Sequence, residues 1–161
     1  MPAVQKIRPC LWFNKEAEEA TTFYASLFQN SKILNVSRYG EGGPMPAGTA
    51  FVVEFELAGQ QFQALNGGPE FQFTEAISLS VDCKTQEEVD HLWNALTANG
   101  GEESQCGWLK DRFGLSWQIV PERLGQLMSS PDAAAAQRTM EAMLQMRKLD
   151  IATLERAAAG G

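Results

Sequence analysis

Two stretches of this chain carry the same pattern in the same order. Glu18-Glu19-Ala20 matches Glu87-Glu88-Val89, Phe23-Tyr24 matches Leu92-Trp93, and Leu27 matches Leu96. Near the end of each stretch, Phe62-Gln63-Ala64 matches Trp117-Gln118-Ile119. A repeat constrains the fold more than any local propensity, because each copy has to build the same supersecondary unit. Each copy reads β-α-β-β-β.

The first copy spans 5–69. Ile7–Phe13 reads as a strand, with Pro9 at an edge or early position. Asn14 is the expected cap of a helix over 16–29, where Ala17, Ala20, Phe23, Tyr24, Leu27 and Phe28 recur at helical spacing. Glu16, Glu18 and Glu19 sit favourably near its positive N-terminus. Residues 31–39 read as a strand, 40–48 as a glycine- and proline-rich loop, and Thr49–Leu57 as a strongly β-prone strand. Gly59 marks a hairpin into Gln60–Leu65, and Asn66-Gly67-Gly68-Pro69 closes the copy.

The second copy spans 74–121. It has a strand at Ile77–Cys83 and a capping box of Thr85 and Glu88. Val89, Leu92, Trp93 and Leu96 form the apolar stripe of a helix that stops at Asn99-Gly100-Gly101. A short strand over 102–106 leads into Gln105–Pro121, a hairpin turning at Gly114, where Trp108 and Trp117 flank Lys110-Asp111-Arg112. The chain thus reads as α+β, a single domain over 1–161. It ends in a helical extension over 122–161: Arg123–Met128, Ala133–Met146 and a last short helix holding Leu149, Ile151 and Leu154. That extension is expected to pack on the sheet or on a second subunit through Met140, Met143, Leu144 and Met146.

With 44% hydrophobic and 20% charged residues, 161 residues suffice for a real core. A formal net charge of −7 argues against nucleic acid or an anionic membrane as the main partner. Cys10, Cys83 and Cys106 are odd in number and form no CxxC, so neither a disulfide framework nor a zinc site is expected. No apolar h-region opens the chain and no run approaches the roughly 20 residues of a membrane span, so a soluble cytoplasmic protein is expected.

Catalytic constellations are thin. The one histidine, His91, lies off its helix's apolar stripe and reads as solvated. Cys106 is either packed and inert or, with Lys110 or Arg112 lowering its pKa, a reactive thiol. Asp111 is either a turn residue with a charge partner or a general base. Glu54 and Glu56 share a strand face and read as solvated. Gly40–Gly43 lies between strands expected to be antiparallel, which is not the strand-to-helix setting of a methyl-donor site.

The chain resembles the PhnB-like family, often labelled 3-demethylubiquinone-9 3-methyltransferase, within the vicinal oxygen chelate superfamily of glyoxalases, bleomycin-resistance proteins and extradiol dioxygenases. The resemblance rests on Phe23-Tyr24 with Leu27-Phe28, on Asn66-Gly67-Gly68-Pro69, on the run Glu75–Val81 and on Cys106–Asp111. Phe113-Gly114, the run Ser116–Pro121, and the tail Met143–Met146 with Lys148–Ile151 add to it. It implies that the two repeats form a curled mixed sheet with a ligand site walled by two cups. Metal-using members carry His or Glu at four positions, which fall at or near Arg8, Gln63, Ala76 and Gln118. An amide oxygen is a weak ligand and a guanidinium none, so no metal and no cofactor is expected.

The expected ligand-binding set is Gln63 and Gln118 with Trp12, Phe51, Trp108, Trp117 and Cys106. The resemblance also implies a homodimer. Three functions stand open: a metal-free binding protein for a small molecule, an enzyme using the same pocket, and a dimeric module with a vestigial pocket. The methyltransferase activity of the family label is an alternative that no residue pattern supports.

Overall fold

The computed structural model describes residues 3–161. The chain divides into two units, Met1–Gln72 and Phe73–Gly161. The first holds β1 (Cys10–Phe13), α1 (Ala17–Leu27), β2 (Lys32–Arg38), β3 (Ala50–Leu57) and β4 (Gln60–Asn66). Its sheet runs β1-β4-β3-β2, with β1 parallel to β4 and the other pairs antiparallel. Side chains alternate across a strand, and one set is apolar: Leu11, Phe13, Val53, Phe55, Leu57, Phe62 and Ala64 are buried, as are Ala17, Ala20 and Tyr24 of α1. Phe55 and Phe62 stand opposite each other and stack with ring centroids 5.3 Å apart. Burying side chains of this size stabilises by about 1.5–3 kcal/mol each. The β3–β4 hairpin turns through Ala58 (φ 49°) and Gly59 (φ 86°), the positive pair that a two-residue hairpin turn favours.

Two local expectations are corrected here. The first strand begins at Cys10 rather than Ile7, which is 81% exposed. Pro9 accepts from the Gln63 N–H at 2.8 Å but has no N–H to continue the ladder. Asn14 does not cap α1. The Ala17 N–H donates instead to Oδ1 of Asn66 at 2.8 Å, while Asn66 Nδ2 donates to the Ala50 carbonyl at 3.0 Å. Asn66 is buried, so one amide joins the helix start to the sheet.

The second unit repeats the order as β5 (Ser78–Cys83), α2 (Gln86–Thr97), β6 (Glu102–Glu103), β7 (Trp108–Lys110) and β8 (Ser116–Pro121), in a sheet β5-β8-β7-β6. Thr85 caps α2 by accepting from the Glu88 N–H at 3.1 Å, and Val89, Leu92, Trp93 and Leu96 are all buried. Strand β6 stops at Glu103, short of the expected 106. Cys106 (φ 57°) and Gly107 (φ 87°) turn the chain, and their N–H groups bond to the carbonyls of Met146 and Arg147 at 2.8 Å each.

The C-terminal helices α3 (Glu122–Met128), α4 (Ala133–Leu144) and α5 (Ile151–Ala159) belong to this second unit. Leu124, Leu127, Leu149 and Leu154 form their core, against which Val120 of β8, Met143 and Met146 pack. Gln86 of α2 donates to the Leu149 carbonyl at 3.1 Å and accepts from the Ile151 N–H at 2.8 Å. Arg138 of α4 donates to the carbonyls of Ala157 and Ala158, satisfying the open end of α5. Helix α4 ends at Leu144, two residues before the expected Met146, and leaves Met140 and Leu144 exposed.

Replacing Asn66 by Ala removes a helix cap and orphans a buried carbonyl. Urea unfolding should show a loss of about 2–3 kcal/mol, with the denaturant slope unchanged. Asn14→Ala should stay within about 0.5 kcal/mol of the parent, as a surface change does; the reverse ranking would refute the long-range cap.

Candidate functional site

The face of the first sheet turned away from the α1-facing core is polar. On β4, Gln61, Gln63 and Leu65 alternate with the core residues Phe62, Ala64 and Asn66. Register sets Gln63 between Cys10 on β1 and Glu54 on β3. Glu54 is not simply solvated: Arg8 Nη1 lies 3.1 Å from its Oε1. Gln63 is half-buried, and its side-chain amide makes no hydrogen bond among the described residues. The exposed Cys10 thiol is pushed up in pKa by desolvation, with Arg8 opposing.

Trp12, opposite Leu65, packs on the turn that follows β4. Its indole N–H donates to the Gly68 carbonyl at 2.9 Å, and its ring meets Phe71 edge-on at 4.9 Å. A Cβ at Gly67 would fall 2.3 Å from the indole, so only glycine admits this approach. Phe51 sits at an irregularity, where Ser37 pairs with Val52 and Arg38 with Ala50, and its ring lies 5.0 Å from that of Tyr39.

In the second unit Gln118 stands between Ser80 on β5 and Trp108 on β7. Its Nε2 donates to Ser78 Oγ at 3.0 Å. Because Ser80 faces Gln118 as Cys10 faces Gln63, the counterpart of Arg8 is Ser78. Ala76, the expected counterpart, lies exposed before β5. Ser116 opposes both Ser78 and Lys110. It is 1% exposed, and its Oγ has no hydrogen-bond partner among the described residues. A cleft of about 160 Å³ lies here, lined by Ser116, Trp108, Lys110, Glu75 and Glu102 among others. Lys110 and Glu75 form an ion pair that holds the Glu75 carboxyl below its usual range and the Lys110 ammonium above its own.

Trp117 takes the other side of β8. It is 1% exposed, and its indole N–H donates to Asp111 Oδ2 at 2.9 Å. Asp111 is 3% exposed, and its Oδ1 accepts from the N–H groups of Phe113 (2.8 Å) and Leu115 (3.1 Å). Of the two roles open to Asp111 in the sequence, the structure shows a carboxylate spent on its turn. Cys106 is half-buried at the other end of the hairpin. Ser78, Ser116 and Glu75 were missed; the one available signal was a serine at every second position, Ser78 and Ser80, alternating with Leu79 and Val81.

The four positions implied for a metal hold a guanidinium committed to Glu54, two amides and a methyl group, a donor set that does not fit a divalent ion. Taking Ser78 in place of Ala76 does not repair it. Among the described residues no three His, Cys, Asp or Glu side chains are grouped to share one. The same residues include no helix long and apolar enough to cross a membrane.

Two βαβββ units of this strand order have the glyoxalase/bleomycin-resistance fold of the vicinal oxygen chelate superfamily. Within it, the chain belongs to the family described as 3-demethylubiquinone-9 3-methyltransferase, whose model matches residues 5–120. A solved structure described as a putative 3-demethylubiquinone-9 3-methyltransferase, PhnB protein, from Bacillus cereus is 40% identical (TM-score 0.68), over 73% of this chain and 99% of that one. A protein from Pseudomonas aeruginosa is 22% identical (TM-score 0.61), over 74% of this chain and 98% of that one. The fosfomycin resistance protein FosX from Listeria monocytogenes, complexed with Mn(II) and sulfate, is 17% identical (TM-score 0.52), over 74% of this chain and 91% of that one; it shares the fold. No curated protein matches the chain.

Burial pushes the Cys83 thiol up to about 12, with Glu88, Asp82 and Glu122 adding to the shift. The unfolded chain therefore loses this proton first as pH rises. The contribution to stability is complete below about pH 9 and lost progressively towards 12. Cys83→Ala should flatten the alkaline fall in urea-unfolding free energy. With a thiol-reactive dye Cys10 should label in the native protein and Cys83 only after unfolding; native labelling of Cys83 would contradict its burial.

Proposed function

We propose that this protein is a metal-free binding protein for a small polar molecule, acting as a homodimer in the cytoplasm. The observation that carries the reading is the unspent hydrogen-bonding capacity of two amides on corresponding strands. Gln63 makes no side-chain hydrogen bond among the described residues, and Gln118 uses its Nε2 on Ser78 while its Oε1 has no partner there. Both are half-buried, on the polar faces of their sheets. An amide offers a donor and an acceptor, which suits a neutral polar group. Trp117 is buried on the side of β8 away from Gln118, whereas Trp108 shares a sheet face with Gln118 and Trp12 shares one with Gln63, so we assign the aromatic contacts to Trp108 and Trp12. Cys106 supports the β7 hairpin from the edge of this region.

The methyl transfer named by the family is not favoured. The glycine-rich loop 40–48 joins the antiparallel β2 and β3, so it opens no helix on which a nucleotide-like donor could rest.

A compound screen by thermal shift should yield ligands whose stabilisation is lost in Gln63→Ala and Gln118→Ala. Ligands that bind both variants unchanged would remove the glutamines from the site. Purified protein should hold no stoichiometric Zn, Ni, Mn or Fe, and chelation should leave its melting unchanged; stoichiometric metal lost together with ligand binding would overturn the metal-free reading. Light scattering should give twice the 17.7 kDa chain mass.

A further inference from the structure

The cleft of the second unit has a charge pattern that selects among ligands. Its one lining cation, Lys110, is already paired with Glu75. Glu102, opposite Lys110 in register, is exposed and makes no hydrogen bond or ion pair among the described residues. Ser116 lines the same cleft with a hydroxyl that is buried and unpartnered among the described residues, a condition that costs free energy until a partner arrives. Trp108 adds an indole on the same sheet face. An incoming anion would have to displace Glu75 from Lys110 and then face Glu102. An incoming ammonium meets the Glu102 carboxylate, which attracts Lys110 across the strand pair but forms no ion pair with it, a hydroxyl oxygen able to accept, and an aromatic ring whose face attracts cations. At about 160 Å³ the space is well below that of a drug-sized pocket.

We propose that this cleft binds the ammonium group of a small organic amine, through Glu102 and Ser116 Oγ with the amine's carbon body against Trp108. The inference rests on the reading of the protein as a small-molecule binder and gives a chemical class to the group held in this cleft, which Gln63 and Gln118 do not line. The ligand is a single ring or a short chain. Lys110 competes with it for Glu75 and so limits its affinity.

The test compares benzylamine, benzyl alcohol and benzoate by calorimetry and by chemical-shift perturbation at neutral pH. Benzylamine should bind best, benzoate least, and added salt should weaken the amine. Glu102→Gln should weaken benzylamine about threefold, and Ser116→Ala about fivefold. Lys110→Met should tighten it about threefold by freeing Glu75, a gain that loss of folding cannot imitate. Tighter binding of benzoate than of benzylamine, or weaker amine binding in Lys110→Met, overturns the assignment. So does the absence of benzylamine binding; if the glutamine-dependent ligands of the wider screen still bind, that failure falls on the amine assignment alone, and if nothing binds it falls on both.

Discussion

The second unit depends on one buried carboxylate. Asp111 is 3% exposed, and a carboxylate so buried is tolerable only if donors surround it. The chain supplies them from the next six residues: two backbone N–H groups and the Trp117 indole. Meeting that need shapes the turn at 111–115, with Gly114 at φ 90° completing it. The turn in turn sets the register of β7 on β8, opposing Trp108 to Gln118 and Lys110 to Ser116. A slip of one residue would send Gln118 to the core and Trp117 to the other face. The polar cleft is thus a consequence of how a buried aspartate is satisfied. The first unit closes its matching hairpin at Ala58-Gly59, where backbone geometry suffices.

What could be read in advance follows from range. Helix α2 was legible because its cap, stripe and stop all lie within a few residues of one another. The two-copy order was legible for the same reason, element by element. The start of α1 was not, because its cap comes from Asn66, 49 residues from Ala17, and Asn14 offers a plausible local substitute. The Arg8–Glu54 pair spans 46 residues and leaves no trace in either local pattern. The length of β6 was overread because Cys106 and Gly107 bond to Met146 and Arg147, a demand set by the tail.

Trp117 is a different case. Neighbours on a strand point to opposite faces, so Trp117 and Gln118 were never able to share a pocket wall directly. The aromatic beside Gln118 comes from the next strand, as Trp108, and only the pairing register identifies it. Ser116 was passed over for a similar reason: a small hydroxyl beside two tryptophans carries no signal until its burial without a partner is seen.

The two units have also diverged at equivalent places. Where the first carries Arg8, paired with Glu54, the second carries Ser78, bonded to Gln118. Where the first opposes Gln63 with Glu54, the second opposes Gln118 with Trp108. A carboxylate introduced at position 63 would therefore enter a neighbourhood that already holds a guanidinium and a second carboxylate. It would compete with Glu54 for Arg8, and the guanidinium would repel an incoming divalent ion. At position 118 the same change would meet Ser78, which can donate one hydrogen bond but brings no charge. In neither unit would one carboxylate at the glutamine position complete a donor set suited to a divalent ion. Each surrounds its glutamine differently, Gln63 with Cys10 and Glu54 and Gln118 with Ser80 and Trp108.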